Sequence, residues 1–346
     1  MSEISSHCMK SVILIVTSYF IIDRRRIAGG IGEHYVGLYH TFIRSFSKTY
    51  KIFWYSVDDE TLHAFDSNGK LAYSARMSMP LVIPRVLIEA RKSSESTPQL
   101  TAIIAYYYAA KKKPIKFILS LFIFHFLRII GLVNVIVDII DPPVEVHVTY
   151  TEAPSLKKVF LGVLLDILTL KKGTLMWFCS NSYKRYLTKK YGISDERTHV
   201  IYDGSVPELI KPKPPKATGP LTVLYSGTLM NVKGIPELIT SIDELRKKGP
   251  EVDLVLTGGN VDVKMEKKPW IKSIVVNDWF EWIRLLSEEA DVCVIPYPRK
   301  VHWDITFHMK LPDYMAAGKP IVSIYGVETK HILEKYECGL IAKDWK

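Results

Sequence analysis

The four cysteines, at positions 8, 179, 293 and 338, include no CxxC pair, and no histidine stands at metal-ligand spacing from any of them. That absence excludes a zinc ribbon or zinc finger and a disulfide framework, and it fits a reducing cytosol. No apolar run reaches the roughly 20 residues that a membrane-spanning helix needs. The longest candidate, from Ile115 to Gly131, is interrupted by Lys116, His125 and Arg128. No secretory leader is expected, because the polar stretch Met1 to Lys10 runs straight into Ser11–Thr17, which is too short for an apolar signal region with a cleavage site. We read that run as the first core strand. RNP, zinc-finger and helix-turn-helix patterns are also missing, so no nucleic-acid partner is expected: such binding would rest on charge alone.

What is present points to a globular α/β protein. A chain of 346 residues exceeds what one hydrophobic core usually serves, so two domains are the expectation. Hydrophobic residues make up 48% and charged residues 24%, which supplies a sizeable core and argues against disorder. The net charge of +10 implies an anionic partner: a phosphorylated substrate, nucleic acid or an acidic membrane. The basic residues come in short clusters, such as Arg24-Arg25-Arg26 and Lys111-Lys112-Lys113, most of which read as solvated helix ends and loops.

Short β-rich apolar runs alternate with helical patterns, the rhythm of βαβ units and parallel sheets buried on both faces. Strands are expected at 12–17, 51–56, 101–107, 134–140, 175–179, 198–202, 221–226, 252–257, 272–276, 291–295 and 320–324. The proline-rich stretch around Lys211-Pro212-Lys213-Pro214-Pro215 interrupts any regular element. It sets an interdomain linker at 207–220, an N-terminal domain at 1–206 and a C-terminal domain at 221–346. The lysine-flanked segment 111–131 has two readings: a helix lying on an anionic membrane surface, or one buried between sheet and neighbour.

Three motifs carry chemistry. Gly29-Gly30-Ile31-Gly32 opens onto a helix after the first strand, where backbone amides can approach a phosphate or sugar. It does not match the GxGxxG dinucleotide fingerprint. Leu221–Ser226, Gly227 and Lys233-Gly234 read as strand, glycine loop and helix start, with Gly227 permitting close approach and Lys233 set to meet a diphosphate. Lys310 and Asp313 precede the small turn Ala316-Ala317-Gly318, a cation for phosphate and a carboxylate for the two ribose hydroxyls. Such loops belong at the carboxyl ends of strands, where open α/β sheets bind ligands.

Ser226-Gly227-Thr228-Leu229 with Lys233-Gly234, and Lys310-Leu311-Pro312-Asp313-Tyr314-Met315-Ala316-Ala317-Gly318-Lys319-Pro320, resemble the donor domain of GT-B glycosyltransferases, family 4 in particular. The resemblance is strongest over residues 176 to 343. It implies an α/β fold of two Rossmann-like domains whose parallel sheets face a central cleft, and transfer of a hexose from a UDP- or GDP-sugar. It implies retention of configuration, with the leaving diphosphate's own oxygen near the acceptor hydroxyl. Lys233 would neutralise the pyrophosphate, Asp313 would meet the ribose, and Gly30 and Gly32 would close over the diphosphate. Lysines and helix N-termini would take the place of a metal ion, so neither metal nor cofactor is expected. Where the family has a histidine after a central strand, this chain offers Asp141, with His147 and His34 as lesser alternatives.

Three departures qualify the likeness. Thr228 stands where the family has an arginine, a gap that Lys310 could fill. Eight residues before Asp313 is Ile305 rather than a glutamate, with Asp304 adjacent and His302 near. The chain also ends where such proteins continue for a further helix or two, so the C-terminal domain reads as abbreviated or truncated. An alternative is therefore a degenerate GT-B protein that binds a nucleotide-sugar or a partner without turnover. A nucleotide-sugar epimerase would need cleft carboxylates and histidines that the sequence does not place. The apolar segment 115–131 lies in the acceptor half, so a glycan or lipid-linked acceptor is expected, for a cytoplasmic protein associated with the inner face of the membrane.

Overall fold

The computed structural model describes residues 11–17, 40–92, 99–106, 114–141, 143–151, 153–172, 175–205, 210–214, 218–259, 261–276 and 279–345. The chain forms two compact units, the first holding residues 11–17, 40–179 and 184–201, the second residues 180–183 and 202–345.

The first unit contains β1 (Ser11–Thr17), α1 (His40–Phe46), β2 (Lys51–Ser56), β3 (Thr61–Phe65), β4 (Leu71–Arg76), α2 (Met79–Arg91) and β5 (Gln99–Tyr106). It continues with α3 (Pro114–Ile129), β6 (Val133–Ile139), α4 (Pro143–Tyr150), α5 (Leu156–Lys172), β7 (Leu175–Phe178), α6 (Asn181–Tyr191) and β8 (Thr198–Val200). One eight-stranded sheet runs β4-β3-β2-β1-β5-β6-β7-β8. The central strand β1 is a continuous apolar run, with Val12 to Val16 all buried.

The β3–β4 hairpin is a departure from the expected strand set, and it pairs antiparallel with β2. Its turn is built by Asp66, whose Oδ1 accepts the backbone N–H groups of Asn68 and Lys70, both at 2.9 Å, while Gly69 supplies φ +73°. β4 alternates exposed and half-buried positions, so it lacks the continuous apolar run that marks a central parallel strand.

The second unit comprises β9 (Leu221–Ser226), α7 (Ile235–Lys247), β10 (Val252–Thr257), β11 (Ile271–Ile274), α8 (Trp279–Glu289), β12 (Val292–Ile295) and α9 (Val301–Ile305). The remaining elements are α10 (Leu311–Ala316), β13 (Ile321–Ile324), α11 (Val327–Tyr336) and β14 (Gly339–Ala342). All its strands are parallel, in the order β11-β10-β9-β12-β13-β14. The chain starts at β9, steps outward to β11, then returns to β12 and steps outward on the other side. The reversal between β9 and β12 opens a crevice at their carboxyl ends. β14 was not expected either, being a four-residue edge strand with only one apolar pair at its centre.

α7 shows how local sequence sets an element. Ile235, Leu238 and Ile242 line the core face, Pro236 occupies the first turn, and Glu237 and Arg246 complement the helix dipole at opposite ends. The first turn of α6 is capped twice over: the Ser180 hydroxyl accepts the Tyr183 N–H at 3.0 Å, and the fully buried Glu328 accepts the Ser182 N–H at 2.8 Å and the Tyr202 hydroxyl. The proline-rich stretch is anchored to the second unit, with Ile210 in its core and Lys319 Nζ donating to the Lys213 carbonyl at 3.1 Å. Among the described residues, no helix is long and apolar enough to cross a membrane.

Candidate functional site

The loops after β9, β10 and β12 are knitted together at the crevice. Gly227, at φ +128°, donates its N–H to the Thr257 carbonyl at 2.8 Å, and Leu229 donates to the Gly259 carbonyl at 2.9 Å. Gly258 packs so tightly that a Cβ there would lie 2.3 Å from the Gly227 carbonyl oxygen. Gly234, at φ +76°, lets the start of α7 reach the loop after β12: a Cβ on it would lie 2.0 Å from the Pro296 carbonyl oxygen.

Two lysines converge on the β9 loop. Lys233 is 9% exposed, and its Nζ donates to the Thr228 hydroxyl at 3.2 Å. Burial lowers its ammonium from the ordinary lysine range to about 8. Lys310 Nζ donates to the Tyr297 hydroxyl at 2.6 Å and sits over the rings of Tyr225 and Tyr297, at 4.2 and 4.7 Å from their centroids. A Cβ on Gly227 would stand 3.2 Å from that same Nζ, so the glycine keeps the Lys310 head group uncrowded. Tyr225 is itself held by donating its hydroxyl to the Thr228 carbonyl at 3.2 Å.

Aromatic rings wall the far side. Tyr297 stacks on Trp303 with centroids 4.5 Å apart, and His308 meets Tyr297 edge-on at 4.8 Å. His302 lies against Trp303 at 4.8 Å. Burial, reinforced by Lys310, His302 and Lys233, holds the His308 imidazole well below the ordinary histidine range.

Of the residues expected from sequence, Gly227, Lys233 and Lys310 come together at this crevice. Asp313 is buried on α10, with Oδ1 accepting the Ser205 hydroxyl and Oδ2 accepting the Trp282 indole N–H at 3.4 Å. Burial raises its carboxyl above the ordinary range, against the lowering effect of those two donors. Asp141 lies in the first unit, half-buried, two residues beyond the carboxyl end of β6. Gly30, Gly32 and His34 fall outside the described residues. His147 is tied into its own loop, its Nε2 accepting the Ser155 N–H at 3.1 Å. Asp304, next to Ile305, faces Arg299 at 3.7 Å. Sequence reasoning missed Tyr225, Tyr297 and His308: each sits in or beside a motif, but nothing in spacing announces that the three rings share one pocket wall with Lys310.

Residues 220–346 match the family described as glycosyl transferases group 1. Comparison with curated proteins gives no match. Among solved structures, the chain is similar to sucrose-phosphate synthase from Thermosynechococcus elongatus, with a TM-score of 0.61 and 14% identity over 97% of this chain and 87% of that one. An α,α-trehalose 6-phosphate synthase from Burkholderia multivorans gives a TM-score of 0.58 and 11% identity, covering 96% and 85% of the two chains. HepE from Anabaena, solved in complex with UDP and glucose, gives 0.57 and 13%, covering 98% and 86%. At these identities the likeness is one of fold, and the fold is GT-B.

Proposed function

We propose that the protein moves a hexose from a UDP- or GDP-sugar to an acceptor hydroxyl, a reading that starts from the match of residues 220–346 to the group 1 glycosyl transferases on a chain with the GT-B fold. The observation that carries the reading is the convergence of buried Lys233 and half-buried Lys310 on the Gly227–Thr228 loop, at the strand-order reversal of the six-stranded sheet. Two cations converging on a glycine loop are suited to receive a diphosphate, whose charge grows as the sugar departs.

In this reading Lys233 and Lys310 neutralise the leaving diphosphate, and Lys310 fills the place left by Thr228. No metal ion is required, because the lysines supply the positive charge. Asp313 meets the ribose by exchanging the Ser205 hydroxyl for a ribose hydroxyl, a like-for-like swap of hydrogen-bond donors. Asp141, from the first unit, is the polar group assigned to the acceptor side. Gly30 and Gly32 are assigned to the diphosphate through the family resemblance. Transfer proceeds with retention, the departing phosphate oxygen taking the acceptor's proton, so the protein contributes positioning and charge stabilisation rather than a dedicated base.

The acceptor is lipid-linked or membrane-proximal. In α3, Leu119, Phe122, Phe126 and Ile129 form one stripe, between 53% and 72% exposed. In α5, Leu156, Phe160, Leu164 and Ile167 form another, flanked by Lys157 and Lys158. Both helices are crossovers between successive neighbours of the β5-β6-β7 run, and right-handed crossovers stepping in one direction lie on one face of a sheet. Paired apolar stripes beside lysines suit the interface of an anionic membrane.

The test is calorimetric titration of UDP-, GDP- and ADP-glucose in excess EDTA, with wild type, Lys233→Ala and Lys310→Ala. One nucleotide class should bind wild type without metal and bind each variant at least tenfold more weakly, the size of one lost charge-assisted hydrogen bond. Absence of binding by any sugar nucleotide at millimolar concentration would refute the donor site. Binding with no sugar transfer to any acceptor would instead favour a nucleotide-sugar-binding protein without turnover.

A further inference from the structure

We propose that His308 is a third anion-binding group of the crevice, taking up a proton from solvent when the donor's diphosphate arrives beside Lys233 and Lys310. The inference rests on the donor reading and deepens it. His308 is 5% exposed, packed edge-on against Tyr297 and 6.3 Å from the Trp303 centroid. Among the described residues neither ring nitrogen has a hydrogen-bond partner, although the ring is nearly enclosed. A buried imidazole is ordinarily tied to a carboxylate, a carbonyl or a hydroxyl.

Its charged and titratable neighbours are of one kind. Lys310 on its own loop, Lys233 from the turn before α7 and His302 from α9 all oppose a proton on it, and Tyr297 faces it as a neutral phenol. Of the carboxylates on neighbouring helices, Asp313 accepts from Ser205 and Trp282, while Asp304 faces Arg299 through Oδ2 at 3.7 Å and keeps Oδ1 buried without a hydrogen-bond partner among the described residues. An unpartnered imidazole among cations is neutral when the site is free. A diphosphate reverses the local field, so the protonated ring becomes the favoured form and donates to a phosphate oxygen. The sign follows directly: the group's proton affinity is higher in the complex, so its contribution is full at low pH and is lost as pH rises.

Sugar nucleotides suit the test because their diphosphate is a diester with no titrating oxygen near neutrality. Titrating the sugar nucleotide that binds, at about pH 6.5 in buffers of different ionisation heat, should show uptake of up to one proton per donor. Lys233 is already charged at that pH and contributes little. In His308→Gln the uptake should vanish, and affinity should fall roughly tenfold at about pH 6 but little at about pH 8.5. Donor binding without uptake in wild type, or with uptake unchanged in His308→Gln, overturns the inference and leaves the donor site standing. If no sugar nucleotide binds wild type, the donor reading fails and this one with it. Histidine ring NMR on the wild-type protein gives a second readout independent of the variant: the His308 midpoint must rise at donor saturation, and an unmoved midpoint overturns the proposal.

Discussion

Lys233 and Lys310 solve the same electrostatic problem differently. Lys310, half-buried, lies over two tyrosine rings and donates to one of their hydroxyls. Lys233 has the Thr228 hydroxyl and is depressed by burial to about 8. A diphosphate raises the Lys233 value in the complex, so its help is fully present below about pH 8 and is lost above it. Above about pH 8, where the His308 contribution is already spent, donor affinity should therefore fall by up to tenfold per pH unit. Isothermal titration across pH 7 to 10 checks this, and in Lys233→Arg, whose charge persists, the decline should disappear.

At the scale of elements, the crevice depends on loops that approach more closely than side chains allow. The start of α7 touches the loop after β12 through Gly234, where a Cβ would meet both the Pro296 carbonyl and the Trp345 ring at 2.6 Å. Gly234→Ala adds left-handed backbone strain to that overlap and should destabilise the protein by about 2–4 kcal/mol. Gly259→Ala, with open space around the added methyl, is the control and should cost under about 1 kcal/mol. Urea unfolding of both variants makes the comparison, and equal stability would show that the close approach is not required.

At the scale of the whole molecule, the proposed membrane contact combines a net charge of +10 with two apolar stripes. Wild type should co-sediment with vesicles containing anionic lipid, less so with neutral ones, and binding should weaken as salt rises. Phe122→Ser with Phe126→Ser should cut the bound fraction severalfold, and adding Phe160→Ser should cut it further. Co-sedimentation unchanged in the triple variant would count against the stripes as the membrane face.

How much of this was legible in the sequence depends on range. The apolar runs at the centres of β1, β9 and β12 declare themselves because parallel strands buried on both faces are largely apolar. The glycine loop at 227 was legible for a similar reason, since close backbone approach demands glycine, while the roles proposed for Lys310 and Asp313 rest on residue type and short spacing. The β3–β4 hairpin and β14 were not, since edge and antiparallel strands need apolar residues on one face only. Nor could sequence settle what the side chains do once placed. That Asp313 turns its carboxyl to Ser205 and Trp282, that Lys310 rests between two tyrosines, and that His308 stands among cations are products of contacts between residues up to 108 positions apart. Local sequence determined the elements and the chemistry of the loops; tertiary packing decided which of those groups are paired, which are buried and which remain available to an anion.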